Sequence, residues 1–166
     1  MSNLDELKDL LNQDILQLTT LGDILGQEKS LLSGPDVKSL ASVTQEKNHH
    51  LDQIRERAKA KIRLLVAIGF RPDQGEPSRF LRSAGLDEAV ALWDEASGRL
   101  ARCQALNQTN GRVIAHLQKR LARLTEIFRG ATGQDKLYGA KGQEEAVSHS
   151  NVLASAESES AALEAA

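Results

Sequence analysis

A chain of 166 residues with 21 Lys+Arg against 23 Asp+Glu carries a formal net charge of −2. That balance excludes a whole-chain electrostatic case for nucleic acid or an acidic membrane surface. Aromatics make up 3% while Leu and Ala abound, which is the composition of helices packed by aliphatic side chains and not of a sandwich or barrel.

The first predicted element is a helix over about 4–33. Leu4, Leu7, Leu11, Leu18, Leu21, Leu25 and Leu32 recur at three- and four-residue steps and draw one apolar stripe. Asp14 holds a strict heptad position in that stripe, and Ile15 and Ile24 fill in beside it. Asn3 and Glu6 are expected to pair as a cap at its start. Ser33-Gly34-Pro35-Asp36 breaks the helix, with glycine suited to the position after a helix end and proline to the first turn of the next.

The second helix is predicted over about 36–69, with a stripe through Val37, Leu40, Leu51, Ile54, Ala58, Ile62, Leu65 and Ile68. The stripe is weakest between residues 41 and 50, where Thr44 and Lys47 occupy core positions. Gly69 is a natural stop. Residues 70–86 form the one long connection, which Pro72, Gly75, Pro77 and Gly85 keep from being a continuous helix. Ser78 is expected to cap a short turn holding Phe80 and Leu81. Phe70 and Phe80 suggest a loop packed on the bundle end.

The third long helix is predicted over about 87–129. Its stripe is Val90, Trp93, Ala96, Leu100, Cys103, Asn107, Asn110, Ile114, Leu117, Leu121, Leu124 and Phe128. Three such rods imply an all-α fold: a long antiparallel three-helix coiled-coil-like bundle over 1–130, with a flexible C-terminal tail. Acidic Asp5, Glu6 and Asp9 open the first helix and basic Arg55, Arg57, Lys59, Lys61 and Arg63 close the second, so antiparallel packing is expected to pair those ends. Residues 131–166 are rich in Gly, Ala, Ser and Glu. They hold two basic residues and six acidic ones, a net −4, and read as disordered or conditionally helical.

The sequence offers no catalytic site, and the chain reads as a non-enzyme without cofactor. His49 and His50 are adjacent, about 100° apart on a helix, and cannot grip one metal, so no metal site is expected. Cys103 lies on the apolar stripe as a small buried hydrophobe with no base placed near it. It is the single cysteine, so there is no disulfide framework and a reducing compartment is expected. No apolar run approaches the roughly 20 residues of a membrane span, and MSNLDELKD lacks the basic start and apolar stretch of a signal peptide. A soluble cytoplasmic protein without membrane insertion is the expectation. Arg112, Lys119, Arg120, Arg123 and Arg129 stud the end of the third helix with only Glu126 opposing them. Without interleaved aromatics they read as a solvated face and not as a nucleic-acid site.

Within that helix, Asn107 and Asn110 continue the core stripe, followed by Gly111. A buried asparagine pair fixes register among interchangeable leucine seams at some cost in stability. The alternative is a surface offered to a partner, and the two agree if the partner is a helix added to the bundle. The seam Ile114, Leu117, Leu121, Leu124 and Phe128 is apolar enough to take one.

Three stretches resemble the FlgN-type flagellar export chaperones: EKSLL at 28–32; RLLVAIGF at 63–70; and ALW at 91–93 followed by LNQTNGRVI at 106–114 and LYGAKGQ at 137–143. The resemblance covers about 1–143. The 70–86 loop and the acidic Ser/Ala tail have no place in the family pattern. The resemblance implies a cytoplasmic type III export chaperone without ATP. Such proteins bind the C-terminal helices of hook-associated proteins at the hook–filament junction, prevent their premature assembly and deliver them to the export gate. It implies client contact by the third helix and the segment after it, hence Asn107, Asn110, Ile114, Leu117, Leu121, Leu124, Phe128 and Leu137. It also implies docking of Tyr138 on the export gate's cytoplasmic domain. The competing expectation is a self-associating structural coiled-coil protein with no secreted client, and a homodimer is left open.

Overall fold

The computed structural model describes residues 1–135. Four α-helices follow in chain order: α1 (Asn3–Leu32), α2 (Val37–Ala67), α3 (Pro77–Ser83) and α4 (Asp87–Asp135). A 3-10 turn at Pro72–Gln74 precedes α3. Among the described residues there is no strand, and no helix is long and apolar enough to cross a membrane. The fold is the expected all-α bundle, with α4 running six residues beyond Arg129. Ala131 to Asp135, expected in the tail, continue α4, and the rest of that segment lies outside the described residues.

Local signals set the helix ends. α1 starts one residue before the anticipated cap: Ser2 Oγ accepts from the Asp5 N–H at 3.1 Å, and the Asp5 carboxylate accepts from the Ser2 N–H at 3.3 Å. The extended backbone of Ser2 (φ −74°, ψ 156°) makes it the cap, and Asn3 is already helical. α2 is capped by Asp36, whose carboxylate accepts from the Ser39 N–H at 3.0 Å and the Ser39 hydroxyl at 2.7 Å. Pro35 thus sits before the cap and not inside the first turn.

These two bonds hold the Asp36 carboxyl below its ordinary value of 3.8. A depressed folded pKa gives stability that is complete above the unfolded value and lost as pH falls through the lower folded one. Asn caps as well as Asp but does not titrate. Thermal melts from about pH 6 to pH 3 should therefore lose less for Asp36→Asn than for the native chain, while Asp36→Ala lowers the midpoint already at neutral pH.

α2 and α3 end in the same device. Phe70 N–H donates to the Leu65 carbonyl at 2.9 Å and Gly69 N–H to the Val66 carbonyl at 3.1 Å. Leu86 N–H donates to Leu81 and Gly85 N–H to Arg82, each at 3.1 Å. Gly69 (φ 111°) and Gly85 (φ 69°) take the left-handed conformations the motif requires. Each turn throws the next side chain inward. Phe70 and Leu81 are buried and Phe80 packs against them, its ring 5.6 Å from that of Phe70. The connection is therefore docked on the bundle end as expected. Its helix starts at Glu76–Pro77 without a side-chain cap, so Ser78 is not the cap: proline at the first turn presets the backbone instead.

α1 holds the centre, packed along both α2 and α4. The core forms three layers. Leu7 and Leu11 pack with Leu65, Phe70, Leu81, Ala89 and Ala96 at one end. Leu18, Leu21 and Leu25 meet Leu51 and Cys103 in the middle. Leu32 meets Ile114 at the other end, with Leu40 against them. α1 and α4 therefore run parallel, and α2 runs antiparallel to both, in an up-down-up arrangement. Burial pushes the Cys103 thiol above its usual range, and its Sγ–H points at the Leu18 carbonyl at 3.5 Å. A neutral thiol held in this way is a core residue and a poor nucleophile.

The charge pairing between α1 and α2 differs from the expectation. Asp5 is taken by its cap, Arg55 pairs with Asp52 and Lys59 with Glu56. The cross-helix partner is Asp14, which binds both Arg57 and Lys61. Exposed helix ends can satisfy charge locally or in water, whereas the buried carboxylate needs a cation from across the interface.

Candidate functional site

α4 changes character along its length. Its inward side carries Ala89, Ala96, Cys103, Asn107, Asn110 and Ile114, all buried. Two asparagines are tolerated there because α1 and α2 bring polar groups to meet them. Glu28 of α1 is 0% exposed and Lys47 of α2 2%. Their ammonium–carboxylate distance is 3.0 Å. Thr44 Oγ1 donates to Glu28 Oε2 at 3.0 Å and Lys47 Nζ to Asn107 Oδ1 at 3.2 Å. Asn110 Nδ2 donates to Glu28 Oε1 and to the Leu25 carbonyl, both at 3.0 Å. Five side chains from three helices thus satisfy one another around one buried carboxylate. Asn110 Oδ1 is the one buried atom of the cluster left without a partner.

A second buried tie lies nearer the other end. Asp14, 2% exposed, binds Arg57 and Lys61, and the Lys61 ammonium stands 5.3 Å from the centre of the Trp93 ring. All three long helices meet here again, with a cation–π contact as the α4 link.

The two ties specify the same α1–α2 register. A slip of one heptad either way would set Asp14 against Ile54 or Ile68 and Glu28 against Leu40 or Ile54. Either slip strands Glu28 in apolar surroundings and takes both cations from Asp14, leaving it His50 with Ile54 one way and Leu64 with Ile68 the other, at a cost of several kcal/mol. Leucine seams alone discriminate poorly between such registers. Asn107 and Asn110 extend the same control to α4. The buried-asparagine reading of this stretch is what the geometry supports for the chain by itself.

Beyond Ile114 the hairpin of α1 and α2 ends while α4 continues about 30 Å further at 1.5 Å per residue. The heptad seam goes on without an opposing helix among the described residues. Leu117 is 37% exposed, Leu121 51%, Leu124 52% and Phe128 69%. Val113 and Ile127 widen this stripe on one flank and are also exposed. Contiguous apolar surface of this kind makes the overhang a candidate interaction site. Arg112, Lys119, Arg120 and Arg123 are exposed around it. None of the four forms an ion pair among the described residues, so the acidic ends of neighbouring helices do not neutralise them.

The anticipated client residues thus divide. Asn107, Asn110 and Ile114 are buried in the bundle and do not present a surface. Leu117, Leu121, Leu124 and Phe128 lie together on the overhang. Leu137 and Tyr138 lie outside the described residues. Glu28 escaped the sequence reading, and with it the link between Thr44, Lys47, Asn107 and Asn110, although Glu28 stands at the seam position between Leu25 and Leu32, as Asp14 does between Leu11 and Leu18. Charged residues at seam positions of two neighbouring helices were the available signal.

Among the described residues, no three His, Cys, Asp or Glu side chains stand close enough to hold a metal ion. The His49 and His50 rings are 6.1 Å apart edge to face, and His50 Nδ1 lies 3.0 Å from the Gln17 amide.

No curated protein and no solved structure matches the chain. The model of one protein family, described as FlgN protein, does match, over residues 1–146, and on that ground the chain belongs to the FlgN family.

Proposed function

We propose that this chain is a cytoplasmic flagellar type III export chaperone. It binds the C-terminal helix of a hook–filament junction protein along the overhanging end of α4. Membership of the FlgN family supports the general role. The single observation that carries the site is the leucine seam of α4, which outlasts the hairpin that covers its first half. An amphipathic client helix would lie on Leu117, Leu121 and Leu124, with Phe128 at the far edge, as a helix-in-groove partner. Asn107, Asn110 and Ile114 then serve by fixing the register of α4 on the hairpin. Leu137 extends the face, and Tyr138 docks on the cytoplasmic domain of the export gate. Covering the client's helix keeps it from assembling.

A titration decides this reading. A synthetic peptide of the C-terminal helix of a hook–filament junction protein is added to the 15N-labelled chain. Amide shifts should concentrate between residues 113 and 135 and leave the layer around Leu7 and Leu65 unmoved. If neither peptide nor full-length client forms a complex on a sizing column, the chaperone reading fails. The same open seam suits a second copy, which is the rival reading of a self-associating coiled coil. Concentration-dependent dimerisation with no client binding would favour that rival.

A further inference from the structure

α2 and α4 both lie along α1 and touch each other little, so a cleft opens between them. Its volume is about 370 Å³, within the range of small-molecule sites. Leu18 of α1 belongs to its floor, Ile54, Ala58 and Ile62 of α2 to one wall, and Trp93 and Leu100 of α4 to the other. Two side-chain bridges cross from α2 to α4. Lys61 stands over the Trp93 ring near one end, and Lys47 donates to Asn107 beyond the other. The two bridges are about 21 Å apart along α2. A partner helix running the length of the cleft would have to break both, so the fitting occupant is short. One polar group in the cleft lacks its complement. Arg55 lines it, and its Nη1 donates to Asp52 Oδ1 at 2.9 Å. Its Nη2 is buried and has no partner among the described residues. A guanidinium donor taken out of water without an acceptor is costly. The carboxylates nearby are already engaged: Asp14 holds Arg57 and Lys61, and Asp52 reaches only Nη1. Arg55, Arg57 and Lys61 against Asp14 and Asp52 leave one positive charge over.

We infer that this cleft binds a small amphiphilic anion, an aliphatic carboxylate of medium chain length. Its carboxylate accepts from Arg55 Nη2, and its chain runs past Ala58 and Ile62 toward Trp93. Arg55 to Ile62 spans about 10 Å of α2, the reach of a chain the length of octanoate. A single free guanidinium nitrogen matches a monoanion and is too few donors for a dianionic phosphate. Aliphatic walls would leave the body of a sugar or nucleotide without hydrogen-bond partners, which disfavours it. A second copy of the chain brings the same surplus positive charge and gives Nη2 no acceptor. The ligand touches α2 and α4 at once, two helices that otherwise meet through a few side chains. Binding to the folded chain therefore raises its unfolding midpoint. The cleft lies on the half of α4 covered by the hairpin, apart from Leu117 to Leu124, so it stands independently of the client reading.

The test titrates octanoate into the 15N-labelled full chain, with octan-1-ol and octylamine as neutral and cationic molecules of the same chain length. Octanoate should give saturable amide shifts confined to residues 51–62 and 93–100. Octan-1-ol should bind at least about tenfold more weakly, the loss of one charge-assisted hydrogen bond, and octylamine more weakly still. Arg55→Gln should bring octanoate to the level of octan-1-ol and leave octan-1-ol where it was. Ala58→Phe fills the cleft and should weaken both. Helical circular dichroism melts of each variant separate lost binding from lost fold. The Arg55 side chain is 31% exposed, so Arg55→Gln keeps the fold and decides the matter even if Ala58→Phe does not. Shifts that fail to saturate, or that centre on Leu117 to Leu124, would overturn the inference. Equal affinity for the three molecules would do so too, as would an Arg55→Gln chain that still prefers octanoate.

Discussion

Replacing Glu28 with alanine should destabilise the bundle by about 3–5 kcal/mol, the usual cost of leaving a buried partner charge uncompensated. Glu28 is fully buried and accepts from Thr44, Lys47 and Asn110 at once. Without it the Lys47 ammonium, itself 2% exposed, keeps only the Asn107 carbonyl oxygen. Urea unfolding followed by helical circular dichroism reads the change. Adding Lys47→Met to Glu28→Ala should recover most of the loss, because the stranded charge goes with it. Recovery should stay incomplete, since Thr44 and Asn107 each lose a partner while Asn110 keeps the Leu25 carbonyl. A single variant that costs under ~1 kcal/mol, the worth of an exposed pair, would mean the carboxylate is not buried as described.

The double variant has a second consequence. With both ions gone, only Asp14 and its two cations still tell one α1–α2 register from its neighbours. A chain of leucine seams without polar markers folds to several registers of similar energy. Broader amide lines in the doubly substituted chain at unchanged helix content would show that the network contributes uniqueness as well as stability.

The bundle was legible in the sequence because its stripes are long and leucine-rich, and periodicity over eight turns outweighs local exceptions. Those exceptions carried the finer information. Thr44 and Lys47 read as weak core positions, and their weakness is the matching half of Glu28 and Asn107. Nothing on α2 alone points to that partner, because the pairing depends on register, which one helix does not contain. The capping serine was missed for a simpler reason: Ser2-Asp5 and Asn3-Glu6 are both acceptable cap pairs one residue apart, and backbone extension at Ser2 decides between them. Asn107, Asn110 and Ile114 continue the heptad without a break into Leu117 and Leu121. No sequence signal on α4 marks where its cover stops. That point is set by the length of α1, which ends at Leu32 opposite Ile114.

That end point gives the second large expectation. Leu121→Asp with Leu124→Asp should weaken client-peptide binding at least ~100-fold while leaving the unfolding midpoint nearly unchanged. Each leucine contributes about 1.5–3 kcal/mol when buried by a partner, so two lost anchors reach at least ~3 kcal/mol, which is roughly two decades in Kd. In the free chain both are more than half exposed, and surface substitutions cost within about 0.5 kcal/mol. Leu16→Asp serves as control: it is exposed on α1, away from the overhang, and should change neither binding nor stability. Ile114→Asp should do the opposite of the overhang pair, unfolding the layer it shares with Leu32 because it buries a carboxylate 3% exposed with no cation of its own. The separation of these two phenotypes along one seam is the measurable signature expected if the helix is core before Leu117 and client interface after it. Should Leu121→Asp with Leu124→Asp bind client as the native chain does, the open seam is not where the client lies, and the buried asparagines would remain a device of folding alone.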